Sequence, residues 1–121
     1  MKFLVLTLLI IIAVIAYLSI TPVEIISVGN DKVGHFIAYA SLMVNLGLLT
    51  YSNRKKYMLA IILVLFYGGS LEIIQHYVPG RFMSMHDMLA NSGGVLLGVL
   101  IINSFYKKMK LLLEKLGIKL H

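Results

Sequence analysis

The sequence predicts an all-α integral membrane protein: a bundle of four transmembrane helices followed by a C-terminal basic amphipathic helix. Three observations predict it. Of 121 residues, 60% are apolar and only 13% charged, with a mean hydropathy of +0.92. A water-soluble domain of this length has too little interior to hide that much apolar surface. The apolar residues also gather into four runs of membrane-crossing length. Finally, nine of the eleven bases (Lys2, Arg54, Lys55, Lys56, Lys107, Lys108, Lys110, Lys115 and Lys119) flank those runs in clusters. Bases so placed mark membrane topology and not nucleic-acid binding. Cysteine is absent, which excludes disulfides, thiol catalysis and thiolate metal sites.

Residues 3–20 form the first span. They are uncharged, and at 1.5 Å per residue they rise roughly 27 Å, about the thickness of a hydrocarbon core. A secretory signal peptide cleaved near Val14-Ile15-Ala16 is the rival reading. It fits less well because the apolar run continues past that point and a single lysine precedes it. Thr21-Pro22 ends the helix, since proline cannot continue it and biases its predecessor toward extended backbone. Residues 22–31, with Gly29, Asn30 and Asp31, make a short connection. The second span covers 33–51, and Ser52-Asn53-Arg54-Lys55-Lys56 is a polar turn. The third span covers 57–77 and closes at the Pro79-Gly80 turn. The fourth covers 88–106, completing a transmembrane domain over residues 1–106. In the remaining segment, 107–121, the spacing puts Phe105, Met109, Leu112, Leu113, Leu116 and Leu120 on one helical face, with Lys107, Lys110 and Glu114 opposite. This is the pattern of a helix lying on an anionic leaflet, or of a packing face for another helix.

Four spans place Lys2, the Arg54–Lys56 turn and the lysine tail on one side, which the positive-inside rule assigns to the cytoplasm. That side holds nine bases against Glu114, a net +8. The opposite side holds Lys32 and Arg81 against Glu24, Asp31, Glu72 and Asp87, a net −2. Together they account for the formal charge of +6.

The same topology gathers the unusual polar residues at the outer end. Asp31, His35 and Tyr39 recur every four residues on the second helix. Glu72, Gln75 and His76 stand at i, i+3 and i+4 on the third, and Asp87 and Asn91 at i and i+4 on the fourth. Arg81 lies in the turn between them. A bundle hides such stripes by turning them toward one another, and an ionisable side chain inside a span points to function. Glu72 is the least easily explained as structure, because a carboxylate there costs about 3 kcal/mol unless it is paired. Structural roles compete elsewhere. Asp31 and Asp87 suit helix caps, the latter with Ser84 three residues earlier. Lys32 and Arg81 suit snorkelling to headgroups. Gln75 and Asn91 suit interhelical hydrogen bonding, and the glycines, including Gly94-x-x-x-Gly98, suit close helix packing.

Taken in order, Asp31-Lys32-x-x-His35-x-x-x-Tyr39, Glu72-x-x-Gln75, Pro79-x-Arg81 and Asp87-x-x-x-Asn91-x-x-Gly94 resemble the VanZ-like membrane protein family over about residues 31–98. The resemblance implies a small bacterial multi-span protein, which with the charge pattern gives a multi-pass protein of the bacterial cytoplasmic membrane with both termini inside. It carries an association with resistance to the glycopeptide teicoplanin. His76 and His86 fall outside the pattern. The residue types support two main readings. In one, Asp31, Lys32, His35, Tyr39, Glu72, Gln75, Arg81, Asp87 and Asn91 line a site that binds a membrane lipid phosphate, a lipid-linked cell-wall precursor or a glycopeptide, with Lys32 and Arg81 as anion holders. In the other, Glu72, Asp87 and His35 perform acid–base or phosphoryl chemistry on a lipid-linked substrate. A metal held by His35, Glu72, His76 and Asp87 is disfavoured by the nearby Lys32 and Arg81, so no metal or cofactor is expected. Neither is a nucleic-acid partner. Proton-coupled transport would need a homo-oligomer, since four spans are few. The topology is directly testable because the chain contains no cysteine of its own. A cysteine at Ser84 should react with an impermeant maleimide added to intact cells, and one at Asn53 should not. The opposite pattern would invert the protein in the membrane.

Overall fold

A computed structural model of the chain describes residues 1–22 and 31–120, with the side chain of Asp31 left aside. Four helices account for nearly all of it: α1 (Lys2–Ile20), α2 (Asp31–Thr50), α3 (Arg54–Gln75) and α4 (Met85–Lys115). Each is long and apolar enough to cross a membrane. The exposed surface is the one lipid would solvate: Leu6, Leu9, Ile62, Phe66, Leu96 and Leu100 all point outward.

The ends follow local chemistry. α3 starts where Asn53 caps it, its side chain accepting from the Lys56 N–H at 3.1 Å. α3 stops at Gln75, two residues before the expected end, as the backbone N–H groups of His76, Tyr77 and Val78 turn back to the carbonyls three residues earlier. α4 starts at Met85 under a cap from Ser84, whose Oγ accepts from the Asp87 N–H at 3.3 Å. Ser84 is therefore the cap, and Asp87 sits in the first turn.

The basic tail differs in form from the sequence expectation. It is helical, but as an unbroken continuation of α4 to Lys115. Lys, Leu and Glu are good helix formers and nothing between Gly98 and Gly117 interrupts them. Lys110 and Glu114 add an i,i+4 ion pair at 3.9 Å. The helix ends when Gly117 adopts φ +81°, and the Ile118 N–H bonds the Leu113 carbonyl at 2.9 Å while Gly117 bonds Glu114 at 3.0 Å. The last residues then fold back under the bundle. Leu120 is buried in the core that also holds Leu4, and the Met1 ammonium donates to the Lys119 carbonyl at 3.1 Å. Of the predicted apolar face, Met109, Leu113 and Leu120 pack inward, whereas Phe105, Leu112 and Leu116 are exposed. The two termini meet at one end of the bundle, as an even number of spans requires.

α2 is the central helix, packed against all three others, and its closest neighbour is α4. Small residues allow that approach. A Cβ at Gly98 would fall 2.6 Å from Met43 Cβ and 2.9 Å from the Ala40 carbonyl oxygen, and one at Gly94 would collide with the Phe36 carbonyl. The Gly94-x-x-x-Gly98 reading as packing holds. α1 lies against α2 and α3, tied by Asn45 Nδ2 donating to Thr7 Oγ1 at 2.7 Å and by the Tyr67 hydroxyl donating to the Ile12 carbonyl at 2.7 Å. Tyr51, Tyr57 and Tyr106 cluster at the basic end, with ring centroids 5.1 and 4.4 Å apart, a position suited to a membrane interface.

Gly98→Ala should lower stability by about 1–3 kcal/mol, the cost of overpacking against immovable backbone. Gly69→Ala, where an added Cβ meets nothing within 4 Å, should be neutral or slightly stabilising. Thermal unfolding of both variants in detergent checks the pair.

Candidate functional site

The N-terminal ends of α2 and α4 and the C-terminal ends of α1 and α3 share one end of the bundle, opposite the basic clusters. The polar stripes meet there. Three elements each contribute one chemically active group: one ligand atom from each of His35, Glu72 and Asp87 lies within 4.8 Å of the others. Glu72 is 1% exposed, and its Oε2 accepts from the Ser84 N–H at 3.3 Å, which ties the end of α3 to the start of α4. Asp87 reaches the site from the first turn of α4, three residues beyond that cap. His35 Nδ1–H donates to Asn91 Oδ1 at 2.9 Å. With a carbonyl oxygen as its acceptor, Nδ1 is the nitrogen that carries the hydrogen. The α2–α4 seam that Gly94 permits is what brings Asn91 to His35.

Tyr39 is buried. Its ring packs 6.4 Å from that of Tyr67 and fills the space left by Gly68. Gln75 is 2% exposed and Asn91 5% exposed. Among the described residues, Gln75 Nε2 and Asn91 Nδ2 find no hydrogen-bond partner.

The cations are placed differently. Lys32 is exposed at the start of α2. Arg81 reaches across to the end of α1, its Nε donating to the Thr21 carbonyl at 2.9 Å and its Nη2 to the Leu18 carbonyl at 3.0 Å. It thereby satisfies carbonyls that the helix end leaves open. Asp31 heads α2, and its side chain lies outside the described residues. His76 is exposed and stacks edge-on against Tyr77 at 5.4 Å, apart from the His35–Glu72–Asp87 group.

Two hollows reach these residues. One, about 270 Å³, opens between α3 and α4, and Tyr39, Gly68, Gly69, Met88, Asn91 and Ser92 are among its lining residues. The other, about 160 Å³, lies between α1 and α2, where Ile15, Leu18 and Ala38 lead to His35 and Arg81.

Residues 3–106 match the VanZ/LLP1 family. The chain belongs to the VanZ/LLP1 family. The match spans all four helices, so it includes α1, which the motif resemblance over 31–98 did not reach. No curated protein and no solved structure matches the chain. Every motif residue of the VanZ-like pattern with a described side chain sits at the same end of the bundle. The two amide donors without partners were the feature that sequence reasoning missed. Gln75 and Asn91 looked like neutral glue, and only the packed structure shows their nitrogens unmet.

Arg81→Met removes both hydrogen bonds to α1 and leaves two carbonyls unmet. It should destabilise the protein by about 1–3 kcal/mol, read as a lower melting temperature. Lysine at this position should rescue it only partly, since one ammonium lacks the planar fork that spans two acceptors.

Proposed function

We propose that the protein is a membrane-embedded centre, in the outer leaflet of a bacterial cytoplasmic membrane, for acid–base or phosphoryl chemistry on a lipid-linked substrate. One observation carries this reading: His35, Glu72 and Asp87 converge within 4.8 Å from three helices. A purely anion-binding pocket has no need of two carboxylates at its centre, whereas acid–base catalysis does use a carboxylate and an imidazole in reach of one another. The two hollows support a lipid-linked substrate, because each is lined mainly by apolar groups and includes site residues in its wall. An isoprenoid or acyl chain lying in either would bring its phosphate to the polar end.

In a hydrolytic cycle, a water oxygen attacks phosphorus and the bond from phosphorus to the leaving oxygen breaks. The carboxylate of Glu72 or Asp87 takes the proton of the attacking water, and His35, carrying a hydrogen on both ring nitrogens at that point, gives the one on Nε2 to the leaving oxygen. Gln75 and Asn91 amide hydrogens suit the phosphoryl oxygens as charge builds on them. The charge asymmetry supports the outer location, since the positive-inside rule favours the basic end on the cytoplasmic side.

A second reading keeps binding without catalysis. It is favoured by Lys32, exposed at the head of α2 beside the site, where an ammonium would meet a lipid phosphate or an anionic glycopeptide. The association with teicoplanin resistance belongs to this reading. Release of inorganic phosphate from a polyprenyl diphosphate in mixed micelles separates the two. The wild type should release it, and Glu72→Gln combined with Asp87→Asn should lower the rate by at least about 100-fold. Equal release by the double variant would exclude the acid–base role. Saturable binding of the same lipid without any turnover by the wild type would select the binder.

A further inference from the structure

We propose that His35, Glu72 and Asp87 form the protein side of a divalent metal site, fitted to zinc or a similar borderline ion. The donor set is one imidazole nitrogen and two carboxylate oxygens, drawn from α2, α3 and α4. Three such ligands match the sites that keep a coordination position open for water or substrate. Two carboxylates also balance the charge of a dication. Bonding distances near 2 Å require the three groups to draw together from their present separation, which is within reach of side-chain adjustment.

Two further observations point to a ligand here. First, His35 is held as metal-binding histidines are held. Its Nδ1–H is bonded to the buried Asn91 Oδ1 at 2.9 Å, which orients the ring. Second, the amide nitrogens of Asn91 and Gln75 are buried with no partner among the described residues. Asn91 is bonded to His35, and Gln75 is one turn along α3 from Glu72. A buried donor left unmet is costly. An oxygen carried by the ion, from water or from a phosphate, is the kind of acceptor these nitrogens lack. A cation alone or an anion alone would satisfy half of the site, and an ion with its oxygen ligand satisfies both halves. The electrostatic objection raised by the sequence is weaker in the fold for Lys32, whose side chain is exposed, while Arg81 stays beside the same hollow as His35 with two of its donors turned to α1. His76, named in the sequence-based metal set, is not among the three clustered residues.

The inference rests on the proposed reading only for the purpose of the ion: with an ion bound, His35, Glu72 and Asp87 would serve as its ligands in place of direct proton transfer, and the ion would supply the activation of water, whereas ion binding itself stands on geometry alone. The test uses the full chain in detergent, stripped with a chelator, dialysed against micromolar zinc chloride and desalted. Elemental analysis should find about one zinc per chain. His35→Ala and Asp87→Asn should each weaken binding by about 10–100-fold or more, and Asn91→Leu, which leaves the three ligands in place, by about 10-fold. Far-ultraviolet circular dichroism should show unchanged helicity in Asp87→Asn, the near-isosteric variant. No retained zinc in the wild type, or equal zinc in wild type and His35→Ala, would overturn the site, the latter assigning the metal to exposed histidines such as His76 and His86. The two proposals separate cleanly. Zinc bound without phosphate release sinks the catalytic reading alone, and phosphate release by a wild type that retains no zinc after loading sinks the metal site alone.

Discussion

The close approach of α2 and α4 is the constraint on which the rest of the structure depends. In lipid there is no hydrophobic force between helices, so association must come from tight packing and from hydrogen bonds between polar groups. Gly94 and Gly98 supply the packing by removing every side-chain atom between α4 and the backbone of Phe36 and Ala40. One turn before Gly94, the same face carries Asn91, and the approach is tight enough for its amide to reach His35. The seam thus sets the distance between two helices and, in doing so, assembles the first two parts of the site. α3 then adds Glu72, anchored through Ser84 to the beginning of α4.

The molecule is polar along its axis. At one end, bases, tyrosines and both termini gather, with the tail folded back beneath α1. At the other, acids, amides and a histidine turn inward. Each arrangement lowers a different cost. Exposed lysines at the basic end remain solvated and attracted to anionic headgroups. Glu72 is nearly sealed from solvent, so the bundle must itself supply what water would have offered. Arg81 serves the same end differently, meeting the open carbonyls of α1 and thereby fastening the helix that has the fewest buried residues.

Much of this was legible beforehand for simple reasons. Span length, charge clusters and the Pro79-Gly80 turn act locally, so the four helices and their common polar end could be read from spacing. Other features depended on distant neighbours. Helix propensity carried α4 through the expected boundary near residue 106 to Gly117, where a left-handed glycine stops it. Ser84 took the capping role weighed for Asp87, because its hydroxyl precedes the first turn and the carboxylate does not. His76 and His35 look equivalent as letters, yet one is exposed and the other faces Asn91. Their difference lies in which side of the helix meets a neighbour.

By itself, the sequence determined the membrane class, the number of spans, their alternation and the set of polar residues that share one end. These follow from hydropathy, charge and helical period, which need no knowledge of partners in space. The tertiary structure decided which of those residues touch. It chose His35, Glu72 and Asp87 for the centre, directed Arg81 to α1 and left the nitrogens of Gln75 and Asn91 unmet. Such choices turn on helix rotation and on separations of a few ångströms, and those are set by how side chains from different spans interlock.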